Sequence, residues 1–162
     1  MTFFLNDWNT TTAGEIAATC SVALVFSNAD SGEGYITVDG NQGDRNNISL
    51  WHNGDNLVIK NDKNEIDLKI SAVASANPNT IVVIHSVGPV LMPWIDQVAA
   101  AIFAGLPGQE SGNALVDVLY GDINPSGRLV FTVAEQASDY PAQVLYSSTE
   151  PHPQVIIKRR EN

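Results

Sequence analysis

The stretch NTIVVIHSVGPVLMPWIDQVAAAIFAGLPGQESGN, residues 79–113, decides the fold. It opens with the apolar run Thr80–Ile84, which is typical of a strand buried on both faces. A second apolar run, Ala99–Phe103, follows after a turn. A glycine-rich turn then leads into a helical pattern over Glu110–Tyr120, which Gly121 ends. Strands that alternate with loops and helices in this order predict a parallel sheet whose loops emerge along one edge.

The rest of the chain predicts further elements of the same kind. They are a helix capped by Thr11 and Thr12, a doubly buried strand Val22–Phe26, a hairpin of Leu57–Lys60 with Glu65–Ile70, a short helix Leu91–Gln97 and a strand Arg128–Val133. We therefore expect an α/β fold with a mainly parallel sheet of about five to six strands. Helices should cover both faces of this sheet, as in the flavodoxin-like layering.

Composition excludes several classes of protein. A length of 162 residues with 44% hydrophobic residues suits one domain with a sizeable core. A net charge of −10 argues against a nucleic-acid partner, since the basic residues cluster only at Lys158–Arg160. No apolar run approaches the ~20 residues of a membrane span, so no membrane partner is expected. Cys20 is the single cysteine and is predicted to be a buried structural thiol.

Two segments carry a family resemblance. NTIVVIHSVGPV (residues 79–90) and AGLPGQESGNALVDVLYG (residues 104–121) resemble the C-terminal α/β sandwich domain of glycoside hydrolase family 3, most closely its fungal β-glucosidases. The resemblance runs from about Trp8 to about Tyr146. It implies hydrolysis of terminal non-reducing β-D-glucosyl residues with retention of configuration, without a cofactor. The implied substrate of the intact enzyme is a β-glucoside or a cello-oligosaccharide.

The resemblance also implies a domain layout. Residues 1–146 form one α/β sandwich domain and residues 147–162 an irregular C-terminal tail. Residues 59–71 are an insertion against the family pattern. The family's catalytic (β/α)8 barrel and fibronectin-type domain have no counterpart in the chain, so we expect a fragment that is inactive alone. The exposed barrel-facing surface should then promote self-association.

The parent enzyme is expected to be extracellular. The family's place in cellulose degradation implies secretion, although the first residues lack the positive start and the length of a signal peptide. Two sequons, beginning at Asn9 and Asn47, would accept N-linked glycans in a secreted protein.

Glu33 is the predicted catalytic residue. It lies between two glycines after a predicted strand, at the sheet edge where open α/β folds bind ligands. By itself, an exposed loop glutamate is more often only solvated. However, SGEGYI (residues 31–36) is similar to the family segment that supplies the general acid/base glutamate, which implies this role for Glu33. Asp39 is the second choice for the acid, while Asp30 and Asp44 are better explained as structural.

A retaining glycosidase needs a second carboxylate about 5–5.5 Å from the first, as the nucleophile. In the family this nucleophile is an aspartate on the barrel. Asp7 superficially matches its Ser-Asp-Trp motif, but the surrounding residues match the lead-in to the sandwich domain instead. Glu33 is therefore expected to be one half of a catalytic pair.

Other candidate sites have weaker support. The turn Gly105–Gly112 matches neither glycine-rich nucleotide motif, so we expect it to shape the chain while Glu110 and Ser111 satisfy helix donors. His85 has no hydrolase motif around it and is interpreted as a packing residue. No His or Cys pair has metal-ligand spacing. Trp51 and Trp94 are better explained as core than as sugar-stacking platforms.

Two alternatives to the glycosidase hypothesis stay open. One is a non-catalytic structural or interaction domain. The other is a small flavodoxin-like module that binds a ligand with the loops at the strand ends, for which a phosphate at Gly105–Gly112 would be the sign.

Overall fold

The structure, a computed structural model, describes residues 1–4, 9–29, 31–38, 41–43, 48–50 and 65–141. The helices and strands within these residues are, in chain order, α1 (Thr10–Ala18), β1 (Ala23–Ala29), β2 (Thr37–Val38), β3 (Asn41–Gln42), α2 (Glu65–Ala76), β4 (Thr80–Ser86), β5 (Ala100–Phe103) and α3 (Ser111–Tyr120). Single turns of 3-10 helix cover Ile95–Gln97, Gly108–Glu110 and Ala137–Asp139. Within the described ranges, no helix is long and apolar enough to cross a membrane.

The main sheet is parallel. β4 lies between β1 and β5, with Leu24 of β1 opposite Ile81 and Ile84 opposite Phe103 of β5. The α/β class is therefore confirmed, with three strands of this sheet in the described part of the chain. β2 and β3 form a separate antiparallel pair after β1.

The core lies between the sheet and the first two helices. α1 packs on α2, and α2 also contacts β1 and β4. The central cluster of this core consists of small and branched apolar side chains with one aromatic ring: Ala13, Ala17, Ala23, Val25, Ala29, Leu50, Ile70, Val73, Val82, Ile84, Val90 and Trp94. Because Trp94 is fully buried, its interpretation as a core residue is confirmed.

The burial of β1 differs from the prediction. β4 is buried along nearly its whole length, as predicted. β1 instead alternates strictly, with Val25 5% exposed and its neighbour Phe26 56% exposed. The expectation that β1 is buried on both faces is wrong for the described structure. An apolar run predicts a strand, but burial of each face needs another layer to cover it.

The prediction that Thr11 and Thr12 cap α1 is wrong. The cap is Asn9, whose Oδ1 accepts a hydrogen bond from the backbone N–H of Thr12 at 3.0 Å. Thr11 and Thr12 lie inside the helix. A capping side chain must come from the residue before the first turn, where its oxygen can reach the free N–H groups.

The predicted hairpin is wrong in its second strand, because residues 65–70 begin helix α2. The alternation of apolar and polar residues over this short segment favoured a strand. Ile70, Val73 and Ala74 are buried together instead, at the spacing of one helix face. Residues 57–60 lie outside the described residues. Whether residues 59–71 are an insertion stays a prediction, although Ile70 is part of the core and not peripheral.

Asn77 joins the helical layer to the central strand. Its side-chain Nδ2 donates to the carbonyls of Ala17, at 3.0 Å, and Cys20, at 2.8 Å. Its Oδ1 accepts from the backbone N–H of Asn79 at 2.9 Å. This buried amide thus satisfies one carbonyl in the last turn of α1 and one just after the helix, and it fixes the turn into β4. Cys20, which is half-buried, donates its thiol to Ile16 O at 3.4 Å.

The C-terminal part is irregular where a strand was expected. Residues 128–133 form no strand in the structure, so that prediction is wrong. Phe131 instead packs edge-to-face on Phe103, with ring centroids 5.6 Å apart. The predicted helix after Glu110 is confirmed as α3, and Gly121 ends it with a φ of 83°. The tail predicted over residues 147–162 lies outside the described residues.

Candidate active site at the C-terminal edge of the sheet

The three parallel strands end along one edge of the sheet, which brings their following loops together. The chain leaves β1 at Ala29 and turns at residues 33–36, where the N–H of Ile36 donates to Glu33 O at 2.9 Å. Gly34 has a φ of 57°, a left-handed conformation that glycine adopts without strain. Glu33 is exposed at this turn. Its predicted position on an accessible loop after β1 is confirmed.

The carboxylate of Glu33 has no hydrogen-bond or ionic partner among the described residues. A solvent-facing carboxylate can give or take a proton, as a general acid/base must. The other acidic candidates of this region, Asp30, Asp39 and Asp44, lie outside the described residues. So do Asp7, Asn47 and Trp51.

The sequence did not predict a contact between β4 and α3. Nε2 of His85, near the end of β4, lies 3.1 Å from Oγ of Ser111, the first residue of α3. Ser111 was expected to cap α3, but its hydroxyl engages this histidine instead. In a parallel sheet, the end of β4 and the start of the helix that follows β5 lie at the same edge. This topology is the one feature of the sequence pattern that could have indicated that His85 and Ser111 are close.

His85 and Ser111 do not complete a hydrolase triad. Within the described residues no carboxylate bonds to His85, and no group of three His, Cys, Asp or Glu side chains is placed to hold a metal ion. The contact therefore links the end of β4 to the start of α3, which agrees with a packing role for His85.

The turn before α3 offers little to an anion. Glu110, at the N-cap position, makes no capping bond and instead accepts from the side chain of Asn113 at 2.7 Å. The prediction that Glu110 satisfies helix donors is therefore wrong. Its negative charge beside the helix N-terminus opposes a phosphate at this position.

A cavity of about 390 Å³ lies away from this edge. Its walls come from the N-terminal segment, α1, α2 and β1, including Phe4, Ile16, Leu24 and Phe26. Among the described residues its one charged wall residue is Lys69 and no carboxylate lines it, whereas a sugar site needs several polar groups to fix hydroxyls. The turn at Glu33 is therefore the better candidate for glycosidase chemistry.

Comparison with known proteins shows the family of the chain. A sequence model of the glycosyl hydrolase family 3 C-terminal domain matches residues 4–159. A "Beta-glucosidase" of Schizophyllum commune is 49% identical over 158 residues, which is 96% of this chain and 76% of the relative. A "Probable beta-glucosidase L" of Aspergillus fumigatus is 52% identical over 147 residues, covering 89% of this chain and 18% of the relative.

The solved structures that resemble this chain include further β-glucosidases. The β-D-glucoside glucohydrolase from Trichoderma reesei matches with a TM-score of 0.71 and 50% identity, over 88% of this chain and 19% of that protein. A β-glucosidase from Kluyveromyces marxianus, solved in complex with glucose, matches with a TM-score of 0.64 and 29% identity, over 87% of this chain and 15% of that protein. The chain thus spans less than a fifth of these longer proteins. It belongs to the glycosyl hydrolase family 3 C-terminal domain family, as found in β-glucosidases.

Proposed function

We propose that this chain supplies the general acid/base to a retaining β-glucosidase that removes terminal non-reducing β-D-glucosyl residues. The observation that carries the proposal is the exposed carboxylate of Glu33 on a turn at the C-terminal edge of a parallel sheet. The names of the relatives support the substrate class. Cello-oligosaccharides from cellulose are the natural substrates that this class suggests.

The proposed reaction has two steps. In the first, the carboxyl group of Glu33 gives its proton to the glycosidic oxygen as the C1–O bond breaks, and an aspartate of a separate barrel domain attacks C1. The aglycone leaves as an alcohol and a glucosyl ester remains. In the second, the Glu33 carboxylate takes a proton from water, whose oxygen displaces the aspartate from C1 and releases glucose. Both carboxyl groups then return to their starting states.

The test combines this chain with the barrel domain of the Trichoderma reesei relative, either mixed or joined in one polypeptide. The chain alone should hydrolyse p-nitrophenyl β-D-glucoside negligibly, since the proposed nucleophile belongs to the barrel. The combination should be active, and Glu33→Gln should lower kcat by roughly 10²- to 10⁴-fold. Asp39→Asn, the alternative acid, is the control. Loss of activity in Asp39→Asn together with full activity in Glu33→Gln would reject the assignment.

We also propose that the isolated chain self-associates through the exposed face of β1. Leu24 and Phe26 are 43% and 56% exposed and border the apolar cavity. Contiguous apolar patches of this kind usually mark an interface. Light scattering after size exclusion should show species larger than a monomer, and Phe26→Lys should shift them towards the monomer. A monomer at all concentrations would contradict the proposal.

An extracellular location for the parent enzyme is proposed from its fungal relatives and from the sequon at Asn9. Asn9 is exposed at the start of α1, where a glycosyltransferase can reach it. Expression through a fungal secretory pathway should add a glycan that Asn9→Gln removes, as read by mass spectrometry. Retention of that glycan in the variant would assign it elsewhere, with Asn47 as the next candidate.

A further inference from the structure

Backbone hydrogen bonds connect the turn that carries Glu33 to the chain that follows β3. The N–H of Gly43, which follows β3, donates to Ile36 O at 3.0 Å, while the N–H of Ile36 donates to Glu33 O at 2.9 Å. Ile36 therefore links the turn to the chain that returns from the β2–β3 hairpin. Each of these bonds is independent of side-chain identity.

Gly32 lies against the same backbone. A Cβ added at Gly32 would overlap Ile36 O and lie 2.9 Å from Gly43 O. Real Cβ atoms do not approach oxygen this closely, and carbonyl groups of a hydrogen-bonded turn cannot rotate away as a flexible side chain would. Any side chain at residue 32 must therefore move the turn.

The two glycines that flank Glu33 differ in this respect. Gly34 has a φ of 57°, but a Cβ there would meet no atom within 4 Å. Gly43 combines both constraints, with a φ of 80° and a Cβ that would lie 3.2 Å from Gly34 O. Position 34 thus requires glycine only because of its left-handed backbone conformation. Positions 32 and 43 require glycine because neighbouring backbone oxygens leave no room for a Cβ.

We propose that Gly32 and Gly43 are positioning residues for Glu33. Because they have no side chain, the turn of Glu33 packs closely against the β2–β3 hairpin, and this packing fixes the position of the carboxylate. This inference rests on the proposed function of Glu33 as the general acid/base. A catalytic carboxylate must be held within about 0.5 Å of its productive position. The turn that carries this carboxylate is held by the hydroxyl of Ser31, which donates to Gly32 O at 3.1 Å, and by the close backbone contacts at Gly32 and Gly43.

The test measures how kcat/KM, which reports only the first step of the proposed reaction and not the second step in which Glu33 is the base, depends on the leaving group. Protonation by Glu33 matters greatly for a basic leaving group, such as phenol, and little for 2,4-dinitrophenol, which departs without help. A displaced acid should therefore slow hydrolysis of phenyl β-glucoside selectively. General loss of structure would slow both substrates equally. The assay uses this chain combined with the barrel domain described above.

Gly32→Ala should lower kcat/KM on phenyl β-glucoside by roughly 10- to 100-fold, the effect of a displacement of about 1 Å. On the dinitrophenyl substrate the loss of kcat/KM should stay below about threefold, because no proton transfer is needed for departure of that leaving group. Gly88→Ala is the matched control, because Gly88 is at the same sheet edge, has an ordinary φ and would place its Cβ in open space. It should leave both rates unchanged. Equal losses on the two substrates for Gly32→Ala would overturn the inference.

A second variant covers the case in which Gly32→Ala does not fold, as judged by circular dichroism. Gly43→Ala should show the same selective loss. Its control is Gly121→Ala, with a similar φ of 83° and no atom near the added Cβ. An absence of selectivity in Gly43→Ala would overturn the inference.

Glu33→Gln separates this inference from the proposed function. If Glu33→Gln shows the selective loss and the glycine variants do not, only the positioning role fails. If Glu33→Gln shows no selectivity, the assignment of the general acid itself fails, whatever the glycine variants do.

Discussion

β4 and β1 are neighbouring parallel strands with similar apolar sequences, yet their surroundings differ. β4 has a strand on each side, and Val82 and Val83 are completely buried. β1 has a strand neighbour on one side within the described residues, and Phe26 on its uncovered face is 56% exposed. The contrast shows that an apolar run predicts a strand, while the contribution of each side chain to stability depends on what covers it.

The same contrast separates the core from the candidate site. The α2–β4 region is held by buried side chains, so its stability depends on their size and shape. The turn at Glu33 is held by backbone hydrogen bonds and by close contact at glycines. Substitutions that shorten a side chain should therefore affect the first region, and substitutions that add one should affect the second.

The largest expected effect distinguishes the two strands directly. Ile84 is 1% exposed and Leu24 is 43% exposed, and the two side chains are isomers. Ile84→Ala should lower the free energy of unfolding by about 3–4 kcal/mol, because it removes buried methylenes and leaves a cavity. Leu24→Ala should lower it by about 1 kcal/mol or less. Urea denaturation followed by circular dichroism measures both, and equal losses would refute the difference in burial.

A smaller effect is expected at the junction of α1 and β4. Asn77→Ala removes one amide that bonds two carbonyls and one N–H, and should cost about 2–3 kcal/mol of unfolding free energy. Asn79 is the control, since its side chain is exposed and donates to Ser21 O at 3.1 Å. Asn79→Ala should cost less than about 1 kcal/mol. If the two variants melt alike, Asn77 does not join these elements.

The hydroxyl of Ser27 tests whether one face of β1 is buried and the other is exposed. Ser27 is 4% exposed and donates to Val83 O at 3.2 Å across to β4. Ser27→Ala should lower the free energy of unfolding by about 1 kcal/mol, because the hydrogen bond is lost while the cavity is small. Asn28→Ala, at the exposed neighbour, should have almost no effect. A loss at Asn28 as large as at Ser27 would show that the second face of β1 is covered as well.

The smallest expected effect compares a packed helix with an exposed one. Gly112 in α3 would place a Cβ in open space, so Gly112→Ala should stabilise the protein by about 0.5–1 kcal/mol. Gly14 in α1 would place its Cβ 3.3 Å from Ala72 O of α2. Gly14→Ala should therefore gain nothing, because the tight contact offsets the better helix propensity. Thermal melts of the pair measure the difference; a clear gain at Gly14 would mean that α1 can move away from α2.

Much of the parallel sheet was predictable because its signals are local. β4 and β5 are contiguous apolar runs, and α3 has a helical pattern that ends at a glycine. The position of Glu33 followed from the same logic, since a loop after a parallel strand emerges at the C-terminal edge. The family resemblance, carried mainly by residues 79–90 and 104–121, agrees with the family match over residues 4–159. Its assignment of Glu33 as the acid stays a proposal.

The wrong predictions share a physical cause. Residues 65–70 alternate like a strand, but the segment forms a helix because Ile70 and Val73 meet the core on one face. Residues 128–133 have the composition of a strand, but no described strand pairs with them, and Phe131 packs on an aromatic ring instead. In both segments, local propensity is weak and the tertiary neighbours decide the conformation.

The sequence by itself therefore determined the class of fold, the order of the parallel strands β1, β4 and β5 along the chain, and the loop that carries Glu33. Short-range patterns and glycine positions suffice for these features. The tertiary structure decided which face of β1 is covered, the pairing of His85 with Ser111 and the lack of room for a Cβ at Gly32 beside Ile36 O and Gly43 O. These depend on atoms far apart in the sequence, whose proximity exists only after the chain has folded.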